Sequence, residues 1–160
     1  MNKPASRGLK AFHEEYGDAK QAQYPNEQQL AVYQDKLPAT LLKLWQTQGW
    51  GSYMDGLYWT VNPADYEDVL VLWVQGTPHA QETNNHVIAR TAFGDLYIWN
   101  TNKGSHFKIS HPYHWIIPGT GGTEISKDEL EKKSKVSFLP QMKIILNKKT
   151  NTINLYSNAP

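Results

Sequence analysis

The chain has 160 residues, no cysteine and a formal net charge of +1. That length makes one domain, or two small lobes sharing a core, with enough chain to bury the core without staples. The lack of thiols excludes a disulfide framework and a thiolate metal site, and the near-neutral charge argues against a general nucleic-acid binder.

The N-terminal stretch MNKPASRGLKAF lacks the apolar run of a secretory signal, and no segment of the sequence approaches membrane-spanning length. A soluble cytoplasmic protein with no membrane partner is therefore expected. Leu9, Phe12 and Tyr16 recur at i, i+3 and i+7, which predicts a short amphipathic helix stopping at Gly17. Residues 18–25 are polar and end in Tyr24-Pro25, which reads as a loop. Asn26 can cap a second short helix carrying Leu30 and Tyr33.

Residues 37–63, LPATLLKLWQTQGWGSYMDGLYWTVNP, hold three of the six tryptophans. Pro38 suits the start of a helix because its missing N–H would be unpaired there anyway. Leu41, Leu42 and Trp45 give that helix a buried face, and Gly49-Trp50-Gly51 ends it. After a turn at Asp55-Gly56, Leu57, Trp59 and Val61 alternate with Tyr58 and Thr60, the period of a half-buried strand. Asn62-Pro63 caps the next helix, whose Tyr66, Val69, Leu70 and Trp73 share one face. Asp65, Glu67 and Asp68 fall in its first turns, where carboxylates favour the helix dipole.

Gly76-Thr77-Pro78 breaks that helix, and Gln81 to Asn85 read as loop. His86 to Phe93 and Leu96 to Asn100 predict a β-hairpin closed by a two-residue Gly94-Asp95 turn of type II′. Phe107 to Ser110 and Trp115 to Ile117 read as a third strand interrupted near Pro112. GTGG at 119–122 reads as a flexible link. Ser126 and Glu129 form a capping box before a short surface helix from Lys127 to about Lys135, and 142–156 reads as a C-terminal hairpin. Trp45, Trp59, Trp73 and Phe93 are expected to be largely buried.

The residues offer little catalytic chemistry. His106, His111 and His114 cluster in sequence, but no carboxylate lies near them to complete a metal set, so no metal site and no cofactor are expected. Ser110 beside His111 has no recognisable third partner. Arg90 is the one basic residue in an apolar strand. Its spacing favours a salt bridge to Asp95 or to an acid of the preceding helix over a binding role.

Charge is unevenly spread. No Lys or Arg occurs between Lys43 and Arg90, an interval that holds Asp55, Asp65, Glu67, Asp68 and Glu82. Two readings fit: an acidic, aromatic surface for a basic protein partner, or a Trp-rich core segment with few lysines. On the first reading the contact residues are Asp55, Tyr58, Asp65, Tyr66, Glu67 and Asp68, since Tyr and Trp dominate protein–protein hot spots.

The pattern LP-x-x-L-L-x-x-W-x-x-x-GWG … DGL-x-W … NP resembles the GAD-like domain at the N-terminus of bacterial type VI secretion immunity proteins. HVIARTAFGDLYIWN at 86–100 resembles the domain that follows it there. The resemblance implies a non-enzymatic immunity protein. It would bind a cognate nuclease toxin domain and occlude its active or DNA-binding surface, with no direct contact to nucleic acid. An alternative is a nucleotide- or RNA-associated accessory domain related to the GAD domains of tRNA enzymes. Lys127–Lys135 and Lys143–Lys149 are its only candidate surface.

The fold class expected is α+β. A GAD-like helical lobe with one short strand, residues 1–78, is expected to pack on an antiparallel β-sheet lobe with a short surface helix, residues 79–160, as one compact unit.

Overall fold

The computed structural model describes residues 7–119. The expected helix at 127–135, the 142–156 hairpin and the C-terminal lysines lie outside the described residues. The elements run α1 (Arg7–Tyr16), β1 (Lys20–Gln23), α2 (Glu27–Ala31), α3 (Ala39–Gln48), β2 (Trp50–Tyr53), β3 (Tyr58–Thr60), α4 (Glu67–Val74), β4 (Asn85–Thr91), β5 (Leu96–Asn100), β6 (Gly104–Ser110) and β7 (Trp115–Pro118). Short 3-10 helices cover Pro63–Tyr66, Pro78–Gln81 and His111–Tyr113.

The seven strands of the described residues form one antiparallel sheet in sequence order, β1 to β7. The fold is α+β as expected, but the helical first lobe with a single strand is not how the chain is arranged. Residues before 78 contribute β1, β2 and β3, and β3 pairs directly with β4, with Tyr58 opposite Thr91 and Trp59 opposite Arg90. One sheet therefore runs across residue 78.

The central strands of the sheet are buried on both faces, while β1 and β7 at its edges are largely exposed. Along β5, Tyr97 and Trp99 join a core with Phe12 and Tyr16 of α1, Tyr33 in the turn after α2, and Leu41, Leu44 and Trp45 of α3. Leu96 and Ile98 join a second core with Leu70 and Val74 of α4 and with Phe107 and Ile109 of β6. The period-2 alternation of a strand sends neighbouring side chains to opposite layers. Helices α1–α3 thus cover one face and α4 the other, which is why all of β5 is buried.

Local signals set several element ends as expected. Gly17 takes a positive φ of 71° after α1. Asn26 and Gln29 close a reciprocal capping box at α2. Asn62 accepts a hydrogen bond from the Ala64 N–H ahead of Pro63. Pro38 stands one residue before α3 rather than inside it.

Other expectations are corrected. The polar stretch 18–25 contains edge strand β1, which pairs with β2 through Lys20 opposite Ser52 and Gln23 opposite Trp50. Gly51 lets them approach: a Cβ there would stand 2.9 Å from the Ala19 Cβ and 3.0 Å from the Lys20 carbonyl oxygen. The 86–100 hairpin exists, but β4 stops at Thr91 and residues 92–95 form the connection, where Gly94 N–H donates to the Thr91 carbonyl. Phe93 therefore lies on the hairpin loop, 66% exposed, instead of in the core. The interrupted third strand is two strands, β6 and β7, folded back through His114 in the left-handed conformation (φ 52°). Trp45 is fully buried, whereas Trp59 and Trp73 are half-buried. No helix among the described residues is long and apolar enough to cross a membrane.

Candidate functional site

The densest polar constellation among the described residues centres on Glu82. Thr77 caps the 3-10 helix that follows α4: its hydroxyl donates to the Val74 carbonyl at 2.7 Å and accepts from the His79 N–H at 3.2 Å. This sets His79 and Glu82, three residues apart in sequence, against β6. The His79 ring stacks on Phe107 of β6, with centroids 4.4 Å apart and planes 24° apart. Its neighbour on β6, His106, is only 9% exposed and meets the His79 ring edge-on at 5.1 Å.

Both carboxylate oxygens of Glu82 are occupied. Oε1 accepts from Lys103 Nζ at 2.8 Å. Oε2 faces His106 Nε2 at 2.6 Å, Asn85 Nδ2 at 3.1 Å and His79 Nδ1 at 3.2 Å. A second layer fixes these groups. Asn85 Oδ1 accepts from Asn100, whose own side-chain oxygen accepts from the N–H groups of Asn102 and Lys103. That turn delivers Lys103 to Glu82.

Burial alone would raise the Glu82 carboxyl, but hydrogen bonds from Lys103, Asn85, His106 and His79 outweigh it and hold the group down at about 2. Glu82 is therefore a carboxylate throughout the physiological range. Burial lowers His106, the Glu82 charge and hydrogen bond oppose this, and Lys103 and His79 add to the lowering, so the net shift is downward. The buried Nδ1 of His106 has no hydrogen-bond partner among the described residues.

The sequence-predicted histidine cluster is not assembled. His106 belongs to the Glu82 constellation, while His111 and His114 lie against Trp73 at 5.6 and 5.9 Å. Ser110 donates to Asp95 at 2.8 Å, and Lys108 also reaches Asp95, so Asp95 ties the β4–β5 loop to β6. Arg90 does not take Asp95 as its partner; its guanidinium carbon lies 4.6 Å from the Trp59 ring centroid.

The six expected contact residues divide. Asp65, Glu67 and Asp68 are exposed at the head of α4 and in the 3-10 turn before it. Tyr66 is half-buried and packs against the second core. Asp55 is exposed on the β2–β3 turn, where it pairs with Lys20 at 2.9 Å. Tyr58 is 1% exposed in the first core, so it has no surface to offer a partner. Its position on a strand covered by helices on that face explains the correction.

Two residues that sequence reasoning passed over stand beside the acids. Val71 and Leu72 on α4 are 65% and 70% exposed. The signal was present in the run VLVLWV, which is apolar around more of the helix than one buried stripe needs. Glu82 and His79 were likewise legible as an i, i+3 pair, but nothing local announced Lys103 or His106 as partners.

The sequence matches the GAD-like domain family over residues 8–113. No curated protein sequence is significantly similar to the chain. Among solved structures, the chain is similar to Atu4351 from Agrobacterium tumefaciens, with a TM-score of 0.68 and 20% identity over 78% of this chain and 56% of that one. At that identity the likeness concerns the fold, and this chain spans little more than half the length of that protein. The family match covers both cores, the whole sheet up to β6 and the Glu82 constellation, and on that extent the chain belongs to the GAD-like domain family.

Proposed function

We propose that this protein is an immunity protein of the cytoplasm that binds a cognate type VI nuclease toxin domain and covers its active or DNA-binding surface. It acts by binding and performs no chemistry of its own. The observation that carries this reading is the exposed face of α4. Val71 and Leu72 are largely exposed on the same short helix whose first turn holds Glu67 and Asp68, with Asp65 just before it. An apolar patch bordered mostly by acids, with Lys36 in the groove beside Val71, suits a basic protein partner. A nuclease must present positive charge to hold phosphates, so an acidic rim can occupy the same ground.

The rim acids would act mainly on the association rate, and the apolar centre on residence time. The test is the triple substitution Asp65→Ala, Glu67→Ala, Asp68→Ala, with circular dichroism as the control for folding. In low salt this variant is expected to associate more slowly with its cognate toxin domain and to protect cells less well. An unchanged on-rate together with full protection would place the interface on another face.

A further inference from the structure

We propose that His79, Glu82 and His106 form a binding site for one divalent transition metal ion of the zinc type. Their ligand atoms all lie within 4.8 Å of one another. Two imidazoles and a carboxylate are a recognised three-ligand zinc set, with the fourth position left to water. The proposal stands independently of any protein partner.

Several features favour a metal over a chance meeting of polar groups. The ligands come from two separate elements, and the rings are already oriented by packing, His79 on Phe107 and His106 beside it. For bonds of about 2.1 Å, neighbouring ligand atoms of a tetrahedral site stand about 3.4 Å apart. His79 Nδ1 is 3.2 Å from Glu82 Oε2, and His106 Nε2 is 2.6 Å from it, so His106 must open by less than about 1 Å. Glu82 and His79 have 21% and 25% of their side-chain surface open, which gives an ion a way in.

The proton balance is simple. In the metal-free protein the two ring nitrogens facing Glu82 Oε2 carry hydrogens and donate to it. On binding, each ring gives the metal the lone pair of the nitrogen that faced Oε2, and the hydrogen carried there is exchanged to the other ring nitrogen. At His106 the receiving atom is Nδ1, which has no partner among the described residues, so the exchange breaks no hydrogen bond to them and leaves a buried N–H whose cost lowers the affinity. Lys103 stays on Oε1, away from the ligating oxygen. Its charge nevertheless opposes the ion and lowers affinity.

That opposition provides the discriminating variant. Untagged protein stripped with a chelator is titrated calorimetrically with Zn2+, and with Co2+ while the visible spectrum is recorded. One equivalent of saturable binding is expected, with Co2+ giving the absorption of a four-coordinate site. His79→Ala and Glu82→Gln should weaken binding roughly tenfold or more. Lys103→Met, which keeps all three ligands, should tighten it roughly three- to tenfold. If the ligand variants unfold, hyperfine-shifted imidazole resonances of the Co2+-loaded parent protein report the ligands directly, and they should arise from His79 and His106. Absence of saturable binding overturns the proposal. So do unchanged affinity in folded His79→Ala, weaker binding in Lys103→Met, and shifted resonances from other histidines.

Discussion

Arg90 on β4 lies over the ring of Trp59 on β3, its guanidinium carbon 4.6 Å from the ring centroid, and the two residues are register partners across the sheet. A basic side chain in an apolar strand calls for a compensating group, and an aromatic face supplies one without a carboxylate. The acid that sequence spacing offered, Asp95, is already held by Lys108 and Ser110.

Arg90→Ala is therefore expected to cost about 0.5–1 kcal/mol, the scale of a part-exposed cation–π contact. Urea denaturation at low and high salt checks this. The cost should change little between the two, whereas the loss of a surface ion pair would shrink as salt is added.

Two glycines separate steric from conformational demand. Gly51 has an ordinary φ but no room, with the Lys20 carbonyl oxygen 3.0 Å from a built Cβ. Gly56 has open space but a φ of +87°. Gly51→Ala should cost about 1–3 kcal/mol by forcing β1 from β2. Gly56→Ala should cost about 1–2 kcal/mol through backbone strain alone. Hydrogen exchange distinguishes them: only Gly51→Ala should lower protection along β1 and β2.

His86 gives a pH dependence. Burial, helped by the Lys36 charge, lowers its pKa from 6.5 to about 4. The groove it lines also holds Lys36, Glu67 and Glu82. A depressed pKa means the unfolded chain takes the proton first. The contribution is thus complete above pH 6.5 and is lost as pH falls towards 4. At about 1.4 kcal/mol per unit, discounted for partial exposure, the total is about 1–2 kcal/mol. Urea denaturation across this range should show a flatter slope for His86→Gln than for the parent protein.

Val71→Ser with Leu72→Ser probes the α4 face. Both side chains are mostly exposed, so stability should move by no more than about 0.5 kcal/mol for each substitution. On the proposed function the toxin complex should dissociate faster, read as off-rate by surface plasmon resonance. An unchanged off-rate would remove α4 from the centre of the interface.

Trp45 marks the other extreme. It is fully buried, with Tyr33 edge-on at 6.0 Å and Trp50 at 5.7 Å. Trp45→Ala should cost about 3–5 kcal/mol, combining lost transfer energy with the cavity left behind. A thermal melt of the variant beside the parent protein reads the loss.

The sequence by itself determined what depends on a few neighbouring residues. The helix carrying Phe12 and Tyr16, the capping box of Asn26, the Asn62-Pro63 start before α4 and the strands on either side of Gly94 all follow from local periodicity and turn chemistry. Only the tertiary structure decided which side chains are covered and which groups meet. Strand β1 is too polar to announce itself and exists because β2 offers it an edge. Tyr58 looked available to a partner, yet the first three helices close over its face of the sheet. Val71 and Leu72 belong to an apolar run, yet α4 turns only Leu70 and Val74 fully into the second core and leaves these two exposed. His106 finds Glu82 24 residues away. Periodicity and capping are short-range properties of the chain. Burial and the pairing of charges are set by contacts between distant segments, and no local pattern encodes them.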